Sequence, residues 1–135
     1  MADRLRLSAT RLARRLRQES GAGLTPSQLS VLATIDRHGP LTLKTLAATE
    51  RVAPPSVTKA VAKLETEGLV VRRADEVDRR VAWISLTPSG AAALARIRRR
   101  RSAWLATRLD ALDDDQRRRL ADALDVLDQL TAEAP

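Results

Sequence analysis

The chain changes its hydrophobic spacing from a helical to a two-residue period and back again, which restricts the folds that it can adopt. Apolar residues recur at helical spacing up to Gly68 and again beyond Thr87. Between these points, Leu69–Arg73 and Val81–Leu86 have the pattern of short strands, and a charged loop, Ala74–Arg80, separates them. We therefore predict a mainly α-helical fold of the α+β class, in which one β-hairpin interrupts a series of helices.

Capping residues mark the ends of six predicted helices. Thr25–Gln28 and Asp113–Gln116 have the spacing of capping boxes, and the proline of Thr87-Pro88 suits a first helical turn. We predict a first helix that ends at Gly21-Ala22-Gly23 and a second that runs from Thr25 to a stop at Gly39-Pro40. A short third helix runs from Thr42 to about Thr49, and a fourth begins at Pro54-Pro55-Ser56. A fifth runs from Thr87 to about Leu109, and a sixth follows Asp113.

The core of this fold must be aliphatic, because the chain contains neither Phe nor Tyr and only two Trp residues. A length of 135 residues suits a single domain, 1–135. The predicted inward faces are Leu29, Leu32 and Ile35 of the second helix, Leu43, Leu46 and Ala47 of the third, and Val57, Val61 and Leu64 of the fourth.

Several classes of function lack the residues that they require. The chain has no cysteine, which excludes disulfides, cysteine-ligated zinc and thiol redox sensing, and its one histidine, His38, follows a helix. No paired carboxylates, nucleophile beside a base or glycine-rich phosphate loop is recognisable, so we expect no enzyme activity, metal or cofactor. No apolar run approaches the roughly 20 residues of a membrane span, and the N-terminus lacks a signal-peptide pattern. We therefore expect a cytoplasmic protein without a membrane partner.

The positive charge is concentrated in the middle of the chain. The formal net charge is +7, and it divides into +4 for residues 1–41, +7 for residues 42–101 and −4 for residues 102–135. An anionic partner such as nucleic acid is therefore expected to bind the middle segment. The alternative is a solvated basic surface that has no partner.

The segment 42–87 is predicted to be a helix-turn-helix followed by a wing, which is the hairpin. Such a unit places its second helix in the major groove, with one face on the core and the other toward the bases. Away from the apolar stripe, that helix carries hydroxyls and long cations that suit base edges and phosphates, namely Ser56, Thr58, Lys59 and Lys63. Its first turn is also expected to present free backbone N–H groups to phosphate. The alternatives are that the lysines are merely solvated and that Ser56 caps the helix.

The hairpin is a second candidate contact with DNA, because four arginines crowd the ends of its loop. An arginine inserted into a narrow minor groove gains from the negative potential there. The acids of the loop oppose that gain unless Asp78 holds an arginine in place by a salt bridge. The alternative is a solvated hairpin with local ion pairs of little energetic value. The arginines are Arg72, Arg73, Arg79 and Arg80, and the acids are Asp75, Glu76 and Asp78.

Three segments of the chain resemble the MarR family of bacterial regulators, namely Leu64–Val70, Asp75–Arg80 and Ile84–Gly90. The Asp-Arg-Arg wing followed by Leu-Thr-Pro-x-Gly is a specific signature, and the resemblance covers nearly the whole chain. The branch of the family that senses oxidants through cysteine is not matched. The resemblance implies a winged helix-turn-helix in an obligate homodimer, whose terminal helices intertwine and which binds a palindromic or pseudo-palindromic operator in double-stranded DNA.

The resemblance also implies a ligand. In many members a small, often aromatic or phenolic, molecule binds between the dimer helices and the winged unit and lowers the affinity for DNA. The first, second and fifth helices would line such a pocket here, and no individual contact is assigned.

The expected DNA-binding residues combine the residue pattern with this resemblance. The family's recognition-helix positions fall on the fourth helix, and its wing aspartate and arginine fall on the loop of the hairpin. The expected set is Thr42, Lys44, Pro55, Ser56, Thr58, Lys59, Lys63, Arg73, Asp78, Arg79 and Arg80.

Apolar stripes on the terminal helices predict dimerisation without any resemblance. A winged unit already has a core of its own, so leftover stripes need a partner, and a second copy is the commonest one. We assign 1–24 and 102–135 to dimerisation helices, and 25–101 to a DNA-binding lobe that includes the start of the fifth helix. The alternative is that these helices complete a monomeric core. The expected dimerisation residues are Leu5, Leu12, Leu16, Trp104, Leu120, Leu124, Leu127 and Leu130.

The pattern as a whole favours a sequence-specific transcriptional regulator, a repressor that a ligand releases from its operator. The alternative is an architectural DNA-binding protein with little sequence preference and no ligand. The arginine-rich run 96–101 is expected to be solvated; contacts to phosphate, or to Asp122, Asp125 and Asp128 of the partner subunit, are the alternatives.

Overall fold

The computed structural model describes residues 1–21 and 23–132, and within them it contains six helices and three short strands. The fold is mainly helical with a small sheet, as predicted. Ala22 of the predicted helix end and residues 133–135 of the predicted domain lie outside the described residues. Of the helices in these two ranges, none is long and apolar enough to cross a membrane. The elements are α1 (Ala2–Gln18), α2 (Pro26–His38), β1 (Leu41–Thr42), α3 (Leu43–Glu50), α4 (Pro54–Thr66), β2 (Val70–Ala74), β3 (Ala82–Leu86), α5 (Pro88–Asp110) and α6 (Asp114–Thr131).

Side-chain caps start three of the helices where the sequence predicted them. The Thr25 hydroxyl accepts the Gln28 N–H at 3.1 Å, while the Gln28 side chain accepts the Thr25 N–H at 3.1 Å. Asp113 and Gln116 form the same reciprocal pair at the start of α6, and Thr87 caps α5 through its hydroxyl. Both predicted capping boxes are therefore confirmed.

The sheet contains the predicted hairpin and one strand that the sequence analysis missed. β2 and β3 pair in antiparallel register from Val70 with Leu86 to Ala74 with Ala82, each strand beginning one residue later than predicted. β1 pairs with the other edge of β3, so that the strand order is β1-β3-β2. A two-residue strand is too short to show an alternating pattern. Its second residue, Thr42, also caps α3, which therefore begins one residue later than predicted.

An aliphatic core lies between α2, α3, α4, the sheet and the first half of α5. The predicted stripes of α2, α3 and α4 supply most of it, and the described residues include no buried polar or charged side chain. Leu29 and Leu43 are only partly buried at its edge. The core residues are Val31, Leu32, Ile35, Leu46, Ala47, Val57, Ala60, Val61, Leu64, Val70, Ile84 and Leu94.

The terminal helices contribute little to this core. α1 and α6 bury no residue, and the buried residues of α5 all lie between Gly90 and Ile97. Farther along α5, two guanidinium groups lie near the indole ring of Trp104: the Cζ atom of Arg15 in α1 is 5.5 Å from the ring centroid, and that of Arg108 is 5.3 Å from it. Most apolar side chains of α1 and α6 therefore remain accessible in the single chain.

Gly90 determines how closely α5 approaches the start of β2. A Cβ atom at this position would overlap the carbonyl oxygen of Leu69 and would lie 3.3 Å from the Leu86 side chain. The same carbonyl oxygen accepts the Thr87 N–H at 3.1 Å, and the Thr87 hydroxyl donates to the Gly68 carbonyl at 2.6 Å. Because these hydrogen bonds hold the backbone, it has little freedom to move away from a larger side chain.

Gly90→Ala is therefore expected to destabilise the fold by about 1–3 kcal/mol, the usual cost of forcing extra volume into a packed site. Ser89→Ala, an exposed position in the same helical turn, is the control and should change stability by less than about 0.5 kcal/mol. Urea unfolding measures both. Equal stability of the two variants would contradict the close contact between α5 and the Leu69 backbone.

Candidate nucleic-acid interface

Helix α4 presents one face to the core and the opposite face to solvent. Its buried residues are at most 6% exposed, and they contact α2, α3 and β2. All the residues of α4 that were expected to contact DNA are exposed, namely Pro55, Ser56, Thr58, Lys59 and Lys63. A helix held in this way can enter a groove of DNA without losing its contacts with the core.

The exposed face of α4 borders the start of α2, which was not among the expected contacts. A shallow groove of about 410 Å³ separates the two helices, and its lining includes two lysines together with hydroxyl and amide groups. The lysine, hydroxyl and amide groups are able to contact a phosphate backbone. The lining residues are Thr25, which caps α2, Ser27 and Gln28 of α2, and Ser56, Lys59, Ala60 and Lys63 of α4.

The first turn of α4 does not offer the free N–H groups that the sequence analysis expected. Pro54 and Pro55 have no N–H, and the Ser56 N–H donates to the Ala53 carbonyl at 3.0 Å. The expectation was wrong because the two prolines occupy positions where a helix normally has unpaired donors. Ala53 is the cap and makes no side-chain capping bond, so Ser56 does not cap the helix and its side chain is exposed.

The polar side chains of α4 differ in whether they already make hydrogen bonds or ion pairs within the protein. The Thr58 hydroxyl donates to the Pro54 carbonyl at 3.0 Å, which leaves its methyl group and its lone pairs for a partner. Lys63 pairs with Glu67, with 3.2 Å between Nζ and Oε1. Among the described residues, Lys59 has no ion-pair partner. Lys59 is therefore the cation of α4 that is most available to a phosphate or a base edge.

The start of α3 lies beside β1 and carries two expected contacts. The Thr42 hydroxyl accepts the Thr45 N–H at 3.2 Å and donates to the Thr45 hydroxyl at 3.0 Å. Thr42 therefore has a capping function, whereas Lys44 is exposed in the first turn.

The wing loop, residues 75–81, is held together by the Asp75 carboxylate. One oxygen accepts the N–H groups of Val77 and Asp78 at 3.1 and 2.9 Å, and the other accepts the Trp83 indole N–H at 2.9 Å. These hydrogen bonds, that of Asp78 most of all, lower the pKa of Asp75 below its ordinary value. The ionised form, which closes the loop, is thus favoured at neutral pH, and its contribution is lost only as the pH falls through this lowered pKa.

The arginines of the wing fall into two groups. Asp78 accepts both the backbone N–H and the Nε of Arg80, at 3.1 and 3.2 Å, which confirms the salt bridge considered in the sequence analysis. The Arg80 side chain is nevertheless 92% exposed, and Arg73 and Arg79 are exposed as well. Arg72 instead binds Glu65 of α4 through Nε at 3.1 Å and thereby ties the wing to the end of that helix.

The residues expected to dimerise lie mostly on exposed helix faces. Leu7 and Val126, which the sequence analysis did not name, add to the accessible apolar surface of α1 and α6 at 44% and 55% exposed. Of the expected set, Leu16, Trp104 and Leu127 are half-buried, whereas Leu5, Leu12, Leu120, Leu124 and Leu130 are 41%, 44%, 39%, 52% and 64% exposed.

The arginine run of α5 is not merely solvated as expected. Arg98 binds Asp36 of α2, with 2.9 Å between Nη1 and Oδ2. Arg101 donates to the Ser20 hydroxyl through Nε and Nη2, at 3.0 and 2.7 Å. Partial burial, with the nearby Arg17 charge as a second cause, lowers the pKa of Arg101. The expectation failed because helical spacing cannot show that α1 and α2 lie against these positions.

Two adjoining clefts lie where the end of α1, the start of α2 and α5 meet. Their volumes are about 320 and 220 Å³, and Ser20 and Leu24 line both. Both combine apolar side chains with guanidinium groups, and Glu67 also lines the larger cleft. Because five arginines outnumber this one carboxylate, the chemistry favours an anion that also has an apolar body. The arginines that line the two clefts are Arg14, Arg17, Arg96, Arg100 and Arg101.

The chain matches a model of the MarR family over residues 24–82. It is 40% identical to an uncharacterised HTH-type transcriptional regulator from Mycobacterium leprae, over 100% of this chain and 95% of that protein. It is also 35% identical to the HTH-type transcriptional repressor MdtR from Bacillus subtilis, over 70% of this chain and 61% of that protein.

A crystal structure shares nearly the whole fold. It is that of a proposed transcriptional regulator from Pseudomonas aeruginosa, which superimposes with a TM-score of 0.88 at 38% identity. The match covers 98% of this chain and 94% of the other, so the terminal helices as well as the lobe have their counterparts there.

Lys59→Ala is expected to weaken binding to a specific duplex roughly tenfold, because it removes the uncompensated cation of α4. If Lys59 neutralises a phosphate, the slope of log affinity against log salt should also fall by about 0.9. Fluorescence anisotropy at several salt concentrations measures both.

Arg80→Ala should likewise weaken binding. Arg119→Ala, a cation of α6 that pairs with Asp115, is the control, and parental binding by both the Lys59 and Arg80 variants would contradict the assigned surface.

Proposed function

This chain belongs to the MarR family of DNA-binding transcriptional regulators, and from that membership we propose that it is a homodimeric repressor that a small anionic molecule releases from a palindromic operator. The relatives that it matches are named as transcriptional regulators and not as enzymes. The observation that carries the proposal is the arrangement of α4, whose inner face is buried and whose outer face is exposed and polar.

The proposed DNA contacts come from three neighbouring elements. α4 enters the major groove, where Thr58 and Ser56 face base edges and Lys59 faces a phosphate or a base. The start of α3 and the wing flank it and contact the backbone and the minor groove. The proposed residues remain Thr42, Lys44, Pro55, Ser56, Thr58, Lys59, Lys63, Arg73, Asp78, Arg79 and Arg80.

The dimer is proposed from the accessible leucines of α1 and α6, with Trp104 and the end of α5 beside them. Charge supports a pairing of α1 with α6 between subunits, since α1 carries six arginines and one aspartate. Residues 120–131 of α6 instead carry Asp122, Asp125 and Asp128 and no basic residue. We accordingly treat 1–24 and 102–135 as dimerisation segments and 25–101 as the DNA-binding lobe of one domain.

A two-fold dimer implies a two-fold operator. Two identical α4 helices reach successive major grooves on one face of DNA when they lie about 34–36 Å apart, so the half-sites form an inverted repeat. A dimer bound over a promoter would exclude polymerase, and the relative named as a repressor, MdtR, supports this direction of control.

The proposed effector site is the pair of clefts lined by arginines. In the larger cleft, an aromatic carboxylate or phenolate would place its charge beside Arg100 and its ring against Leu24 and neighbouring apolar groups, while Arg17 and Arg101 line the adjoining smaller cleft. The clefts lie between the end of α1 and the lobe, and the Arg101 to Ser20 hydrogen bonds cross this boundary. A ligand there would change the preferred orientation of the DNA-binding lobe relative to the dimer helices only if it binds one orientation more tightly than another.

The experiment that tests the proposed function is the selection of bound sequences from a random duplex pool at about 150 mM salt, where non-specific binding is weak. An inverted repeat with half-sites about 10 base pairs apart is expected. Binding without an enriched motif would favour the alternative, an architectural DNA-binding protein without a ligand. No binding at all would contradict the proposal.

The effector site predicts a difference between two neighbouring arginines. Benzoate and its hydroxylated derivatives are expected to release the operator, and Arg100→Met should raise the concentration required roughly tenfold, because it removes a charge-assisted contact. Arg99→Met is the matched control, since Arg99 is exposed and lines neither cleft. Anisotropy competition measures both, and equal responses of the two variants would refute this location.

A further inference from the structure

The tip of the wing carries an apolar side chain that the fold does not use. Val77 is 95% exposed, more than any other large hydrophobic residue of the described chain except Met1. It lies between Glu76 and Asp78 in a loop whose other side chains are mostly charged. Packing therefore does not explain a valine at this position.

The loop holds the backbone of Val77 in a defined place. The Val77 N–H donates to Asp75, and the other Asp75 oxygen is tied to the indole of Trp83 on β3. The base of the loop is closed by a hydrogen bond of 2.8 Å from the Asp75 N–H to the Val81 carbonyl. A tip fixed by so many contacts loses little conformational entropy on binding, so its contacts can discriminate between partners.

We propose that Val77 is a specificity-determining residue that lies against the floor of the minor groove and favours A·T base pairs at the flank of each half-site. The inference rests on the DNA-binding function proposed above and extends it to a residue outside the expected set. Asp75 and Trp83 are positioning residues, since they act by holding the tip.

The chemistry of the minor groove gives the reason for this preference. A·T pairs in either orientation present acceptors on the groove floor, whereas G·C pairs add the N2 amino group of guanine as a donor. A valine methyl group cannot accept that hydrogen bond, so its contact with a G·C pair would desolvate the amine without a replacement. A·T-rich grooves are also narrower, which brings the groove walls closer to a small side chain.

The charges of the wing favour recognition of base pairs by direct contact over binding to phosphates by charge alone. Asp78 compensates Arg80, Glu65 compensates Arg72, and Glu76 adds a negative charge beside the tip. These three acids weaken the attraction of the wing for phosphates, so charge alone is a poor basis for its binding. With its cations partly compensated, the wing is suited to discrimination.

The test compares three operators that differ only in the base pair at the flank, which is A·T, G·C or inosine·cytosine. Inosine lacks the N2 amino group, so an I·C pair resembles G·C in the major groove and A·T in the minor groove. For the parent protein, we expect A·T and I·C operators to bind about tenfold more tightly than G·C, within the range of single mismatches. In Val77→Asn, whose side chain can accept from the amine, the A·T to G·C ratio should fall below about twofold.

Two further variants separate readout from charge and from folding. Glu76→Gln, the neighbouring position at the tip, should strengthen binding to all three operators equally and leave the ratio unchanged. Trp83→Phe keeps an aromatic ring and removes the N–H that holds Asp75, so the A·T to G·C ratio should fall while the melting temperature stays close to that of the parent protein.

The outcomes distinguish this inference from the proposed function. Equal affinity of the parent for all three operators, or an I·C operator that behaves like G·C, would overturn the role of Val77 and leave the operator binding intact. A uniform loss in Val77→Asn on every operator would also overturn it, because the residue would then contact the backbone. Failure of the parent to bind any selected duplex would overturn both proposals.

Discussion

The aliphatic face of α4 is the contact on which the geometry of this protein depends. Val57, Val61 and Leu64 are at most 1% exposed and pack among residues of α2, α3 and the sheet, so the direction of the opposite face is fixed by packing alone. With no Phe or Tyr in the chain, many small aliphatic contacts supply the energy of burial. The described core contains no buried polar group that would fix the position of one helix against another. Leu64→Ala would cost roughly 2–5 kcal/mol and would misplace the polar face as well.

Helix α5 connects this lobe to the part of the chain that we assign to dimerisation. Its first half is buried in the lobe as far as Ile97, whereas its second half carries Trp104 against Arg15 of α1. Between the two, Arg98 and Arg101 bind α2 and the segment after α1. Since one continuous helix belongs to both parts, the proposed effector site beside Arg101 lies where the lobe meets the proposed dimer helices. In the proposed dimer, the distance between the two α4 helices would depend on the angle between these parts.

Local rules predicted much of the fold and less of the site. The capping boxes, the apolar stripe of α4 and the hairpin depend on spacings within a few residues, so the sequence shows them directly. β1 was missed because its pairing with β3 is non-local, and the contacts of Arg98 and Arg101 were missed for the same reason. The free N–H groups expected in the first turn of α4 are absent at Pro54 and Pro55, because proline has no backbone N–H. The network around Asp75 depends on a strand register that places Trp83 beside it, which no spacing shows.

The most direct test of this account is the affinity of the dimer for its selected operator as the spacer between half-sites is changed. A rigid pair of α4 helices requires both half-sites on one face of the duplex, one turn apart. Inserting five base pairs, about half a turn, should therefore reduce the affinity to that of an isolated half-site, and a single-base insertion should already weaken binding. An affinity that does not depend on the spacer would contradict the proposed dimer geometry and would identify a protein whose DNA-binding lobes act independently.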